Sequence, residues 1–190
     1  MSDFEFVFVL YSLVLGLSVV EILGGFGRAL ELRLAQTTEG ADFRIGWLTP
    51  LLAIFVLLDL LSFWSFAWTL RDTVQVSPRM LLAVMTFAAA YFMAARLVFP
   101  TAPARFASLD EQYFRVRRIV MGILIALVGV QWAYLASIPA MRAALASPLT
   151  IALTLVLVCL MFAAAFVKDR RWSIAILVLL VGRYTLIYLR

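Results

Sequence analysis

Apolar residues along this chain gather into six runs, at 4–25, 45–70, 80–99, 119–138, 149–167 and 172–189. A helix crosses a bilayer with about 20 predominantly apolar residues, so each run is long enough to span one. The pattern predicts an all-α, polytopic membrane protein, a bundle of six transmembrane helices forming a single domain over residues 1–190. The runs leave no stretch long enough for a soluble domain of ordinary size, which argues against a large extramembrane catalytic module.

Polar punctuation marks the ends of the runs. Ser77-Pro78 and Ser147-Pro148 pair an N-cap with a first-turn proline, and Ser108 with Glu111 has the spacing of a capping box. The box starts the fourth helix outside the apolar run, with EQYFRVRR as a stalk. The first helix is expected to continue past its run through ALELRLAQ, and TTEGAD reads as a linker. AMRAALAS is expected to form a short helix at the membrane surface. KDRR closes a hairpin between the last two spans. Three spans precede the linker at 100–107 and three follow it, as in an inverted repeat, but the two halves share no motif.

Composition sharpens the class. Hydrophobic residues make up 65% of the 190 positions and charged ones 14%, where soluble proteins carry roughly half and a quarter. The net charge of +5 does not point to nucleic acid, because the basic residues are divided among the loops. Ten fall in the odd loops (Arg28, Arg33, Arg44, Arg105, Arg115, Arg117, Arg118, Lys168, Arg170 and Arg171) and three in the even loops (Arg71, Arg79 and Arg142). By the positive-inside rule both termini face away from the cytoplasm. The first run opens on Asp3 and Glu5 rather than on a basic segment, so it reads as a retained helix and not a signal peptide.

The candidate chemistry lies in the charges inside the runs. Asp59 stands mid-way along the second run and Arg183 deep in the sixth, roughly 20 Å and 17 Å from the basic end at about 1.5 Å per residue. Glu21 and Arg96 lie nearer that end, about 5 Å in. An ionised Asp or Arg at a helix centre costs about 2.5–3.5 kcal/mol to insert. An opposite charge at 4 Å returns about 4 kcal/mol at an effective dielectric near 20. Two matched pairs are therefore expected, Asp59 with Arg183 and Glu21 with Arg96, the latter also within reach of Arg28. Gln131 is expected to hydrogen-bond between helices. Ser18, Gly24 and Gly25, on a stripe with Glu21 and Arg28, are expected to admit a neighbouring backbone.

These residues point to an inner-membrane protein of bacterial type that moves a small ion, proton or solute through a polar site at Asp59, Arg183, Glu21, Arg96 and Gln131. The alternative is a structural or regulatory subunit of a larger membrane complex, the buried charges serving helix packing. The expected partners are the lipid bilayer and either further copies of the chain or a larger complex. No cofactor and no metal are expected, since histidine is absent and the one cysteine, Cys159, lies within the fifth run. No nucleophile and base stand at helical spacing, so an enzyme is not expected.

Overall fold

The computed structural model describes residues 3–36, 43–69, 71 and 77–189. They form α1 (Asp3–Gln36), α2 (Leu48–Thr69), α3 (Pro78–Val98), α4 (Leu109–Ser137), α5 (Pro139–Leu145), α6 (Pro148–Phe166) and α7 (Arg170–Tyr188). All but α5 are long and apolar enough to cross a membrane, and no strand occurs among the described residues. The chain is a helical-bundle integral membrane protein. α1 and α4 run past their apolar segments as the flanking sequence predicted, and α5 falls where the surface helix was expected. The linker TTEGAD lies outside the described residues.

Local chemistry accounts for the helix starts. The Ser77 hydroxyl accepts from Met80 N at 3.2 Å, an N-cap followed by the Pro78 that opens α3. Ser108 caps α4 by accepting from Asp110 N at 3.0 Å, one residue short of the position a capping box uses. Ser147 precedes α6 without a side-chain cap, and the start rests on Pro148. Asp169 caps α7, one carboxylate oxygen accepting from Arg171 N and Trp172 N at 2.8 and 3.1 Å.

α1 packs along α3 and α7 along α2, while α4 touches α2, α3 and α6. The buried seam of α1 is Val7, Tyr11, Leu15, Ser18, Ile22, Gly25 and Ala29, repeating at three and four residues. Facing it, α3 offers Ala88, Tyr91, Ala94, Ala95 and Val98, mostly small side chains that let the helices approach. A Cβ on Gly25 would come within 2.5 Å of Phe99 Cβ, so only glycine fits there. Gly24 instead lies on the exposed side, with ordinary room for a methyl group. Adjacent residues point about 100° apart on a helix, so the two glycines cannot both face α3, and the packing role expected of Gly24 falls to Gly25 alone. Outside the seam, Val9, Leu13, Leu17 and Val20 present an apolar surface, as a lipid-facing helix requires.

Candidate functional site

Asp59 occupies the α2 face turned into the bundle and is only 4% exposed. Its Oδ2 accepts from the Tyr91 hydroxyl of α3 at 2.8 Å, and its Oδ1 accepts from the Tyr184 hydroxyl of α7. One carboxyl group thus joins three helices. Phe55, Phe63 and Phe87 pack around the phenols, with Phe55 6.0 Å from the Tyr184 ring and Phe87 5.5 Å from that of Tyr91. Removed from water, a carboxyl needs its hydrogen bonds met within the fold, and here two tyrosines meet them.

The expected ion pair between Asp59 and Arg183 does not form; no nitrogen of Arg183 lies within 4.0 Å of the carboxylate. Arg183 and Tyr184 are consecutive, and the turn of about 100° per residue lets only one of them face α2. Tyr184 takes that position, 4% exposed, and Arg183 is turned aside, half-buried, with its guanidinium 5.0 Å over the Tyr184 ring. Its Nε is buried without a hydrogen-bond partner. The arginine touches the cluster through the Tyr184 ring and contributes its field, not a contact, to Asp59 itself.

A third tyrosine stands beside this cluster. Tyr11 of α1, 3% exposed, lies in electrostatic range of Asp59, yet its hydroxyl has no hydrogen-bond partner. Tyr11 also lines an open-mouthed cavity of about 380 Å³ between α1, α2, α3 and α4, which extends from Tyr11, Phe63 and Phe87 to Arg79 and Tyr134. Gln131 is on the cavity wall and is joined by no hydrogen bond to another described residue, in place of the interhelical bond expected of it. Nearby, Trp64 Nε1 donates to Ser12 Oγ at 2.9 Å, tying α2 to α1.

Toward the basic end, Glu21 Oε1 accepts from Arg96 Nη1 at 2.7 Å, with Arg28 Nη2 3.6 Å away. Arg96 also donates to Thr101 Oγ1 at 3.3 Å. This pair joins α1 to α3 at the shared depth expected of it. Ser18 is buried three residues earlier and donates to Val14 O within its own helix. Along the helices between this pair and the level of Asp59, the buried side chains Leu15, Ala94 and Ala95 are apolar.

A further polar cluster at the basic end centres on Asp110, near the start of α4. Its Oδ1 accepts from Leu48 N at 3.1 Å and its Oδ2 pairs with Arg170 Nη2 at 2.8 Å. Leu48 is the first residue of α2, so Asp110 caps α2 from another helix and faces the positive end of its dipole. Thr49 Oγ1 donates to Leu109 O at 2.5 Å, and Arg44 exchanges backbone hydrogen bonds with Ala107 and Leu109. Gly46 lies directly against the carboxylate, which a Cβ would overlap. Arg117 donates to Val167 O and Tyr113 to Ala164 O, binding α4 to α6.

Tyr91, Tyr184, Tyr11 and Asp110 are functional or structural residues that sequence reasoning passed over. A search for uncharged donors at the depth of Asp59 would have found the tyrosines. Among the described residues, no three His, Cys, Asp or Glu side chains gather as a metal site would require. In comparisons with family models, curated proteins and solved structures, the chain matches none.

Proposed function

We propose that this integral membrane protein passes protons across the bilayer by way of Asp59, which serves as the loading group. The observation that carries the reading is a carboxyl group buried among membrane helices with a phenol on each oxygen. An intramembrane carboxylate is a functional candidate by default. Phenol and carboxyl groups both donate and accept, so a proton can be handed along Tyr91, Asp59 and Tyr184 without moving heavy atoms far. A bound metal cation fits less well: calcium, for instance, takes about six to eight oxygen ligands, while the two phenols here are donors to the acid. Arg183 supplies a positive field, and Glu21 with Arg96 forms the polar group nearest the basic end. The ten cations of the odd loops favour an orientation with that end in the cytoplasm of a bacterial inner membrane.

The test is proton uptake by liposomes containing the purified protein, driven by a potassium diffusion potential and followed with an enclosed pH dye. Asp59→Asn removes the exchangeable proton at nearly constant shape and is expected to abolish the flux while helical content and elution volume stay unchanged. Flux that persists in this variant rejects the proposal.

A second reading rests on a different observation: the contacts of Asp59, Glu21 and Asp110 each join separate helices, as packing clamps would. In that reading the chain is a structural or regulatory subunit of a larger membrane complex. Wild-type liposomes without flux, together with a loss of stability in Asp59→Leu that adding Tyr91→Phe and Tyr184→Phe recovers, would favour it.

A further inference from the structure

Almost all the walls of the cavity beside Tyr11 are apolar, and six of the lining side chains are aromatic: Phe8, Tyr11, Phe63, Phe66, Phe87 and Tyr134. Its volume, about 380 Å³, falls at the lower end of the range of roughly 300–1,000 Å³ found for small-molecule sites. At about 1.5 Å per residue, Tyr11 lies roughly 12 Å from the start of α1 and Gln131 roughly 9 Å from the end of α4. These ends lie on the same side of the bundle, so the phenol and the amide stand at similar depth. The Tyr11 hydroxyl is buried without a hydrogen-bond partner, and the half-buried Gln131 has none among the described residues. Arg79, in the first turn of α3, contributes the one charge, at the rim.

We propose that this cavity binds a lipophilic planar ring carrying carbonyl oxygens, a molecule of the quinone class. Three features select that chemistry. The aromatic walls favour a flat ring, which packs against them offset or edge-on. The Tyr11 hydroxyl is buried without a partner, and buried polar groups are nearly always matched, so a ligand here should present a hydrogen-bonding group to it. A carbonyl oxygen accepts from the phenol, and one across the ring accepts from the half-buried Gln131 amide. A ring with carbonyl groups on opposite sides offers acceptors at both ends and no donor of its own. An acyl chain with a carboxylate head would pair with Arg79 but leave Tyr11 and Gln131 facing methylene groups. The ring is dissolved in the bilayer and enters from it, and binding requires no electron transfer.

Trp64 and Trp68 provide the readout, their rings 5.4 and 5.0 Å from that of Phe8 on the cavity wall. A short-tailed benzoquinone is titrated into the purified full-length protein in detergent while tryptophan emission is followed. Saturable quenching with one site per chain is expected. Tyr11→Phe keeps the ring and removes the donor, and one hydrogen bond lost weakens binding about three- to tenfold. Val84→Phe fills the cavity and is expected to abolish saturation, with Ala67→Phe as a second filling variant should the first not fold. Helical content and elution volume are checked for each variant. Asp59→Asn is expected to retain binding, so this result stands apart from the flux experiment. Quenching that never saturates, an equal affinity in Tyr11→Phe and the folded filling variant, or displacement by dodecanoate as readily as by a second quinone would each overturn the proposal.

Discussion

The hydroxyl of Tyr184 on α7 donates to Asp59 on α2, in the place that the charge pattern assigns to the neighbouring arginine. Because Tyr184 and not Arg183 satisfies the acid, their substitutions should differ in the opposite order to their charges. Tyr184→Phe leaves a buried carboxyl oxygen without its donor and is expected to cost about 1–3 kcal/mol. Arg183→Met removes a half-buried side chain whose Nε has no partner and is expected to cost less than Tyr184→Phe. Reversible unfolding in mixed micelles measures both, and an arginine variant less stable than the tyrosine variant would contradict the geometry.

Asp59 itself can be placed by a double-mutant cycle. Tyr91→Phe is expected to destabilise the wild type by about 1–2 kcal/mol and to have a much smaller effect in an Asp59→Leu background, where no acceptor awaits the phenol. Additive effects would mean that the 2.8 Å bond contributes nothing net.

The pair near the basic end should behave differently. Glu21 and Arg96 are in contact at 2.7 Å but remain partly exposed, so salt and water screen them. A cycle of Glu21→Gln with Arg96→Gln is expected to give a coupling of about 0.5–1 kcal/mol that falls with added salt. Exchanging the two residues should recover only part of the stability, because Arg28, 3.6 Å from Glu21, would then face an arginine.

What was legible in the sequence was what repeats or is rare. Six apolar runs follow from the need to satisfy the backbone inside lipid, and they mark the helices to within a few residues of their starts, save α4, whose polar first turns precede its run. The charges inside them stand out because they are few. The partners of Asp59 were not legible, since a tyrosine in an apolar run, in a chain with fifteen phenylalanines, looks like packing until the helices are set side by side. Rotation about a helix axis is what separates the two readings. A step of about 100° puts Tyr184 in place of Arg183 and Gly25 in place of Gly24, and runs without a strong polar face specify that rotation weakly. Asp110 was hidden for another reason: it stands within the S-x-x-E signature, whose local role obscures a contact with Leu48, 62 residues earlier.

Gly46 tests that contact. Its backbone lies so close to Asp110 that a single methyl group would displace the carboxylate from Leu48 N and from Arg170. Gly46→Ala is expected to destabilise by about 1–3 kcal/mol, as overpacking does. Asp110→Ala, which leaves the end of α2 without its cap, is expected to cost about 0.5–2 kcal/mol. The combination should recover part of the loss, because removing the carboxylate vacates the space that the methyl needs. Losses that simply add would show that Gly46 serves something other than the approach of Asp110.

Gly24 and Gly25 form an internal control on the packing of α1 against α3. Replacing glycine by alanine in a helix adds up to about 1 kcal/mol of propensity wherever the methyl group has room. At Gly24 the nearest atom to a new Cβ is a guanidinium nitrogen of Arg28, 3.6 Å away and able to move, so Gly24→Ala is expected to be neutral or stabilising. At Gly25 the same methyl would lie 2.5 Å from Phe99 Cβ and 2.8 Å from its Cγ, atoms held close to the backbone at the end of α3. The helices must then part, and α1 loses contact along the seam from Ser18 to Ala29. Gly25→Ala is therefore expected to destabilise by about 1–3 kcal/mol despite its gain in propensity. Phe99→Gly in the same chain should restore part of that loss by clearing the space, because it removes the Cβ that alanine would keep. Unfolding midpoints for the three variants decide the matter, and equal behaviour of the two alanine substitutions would show that α1 is rotated from the orientation described.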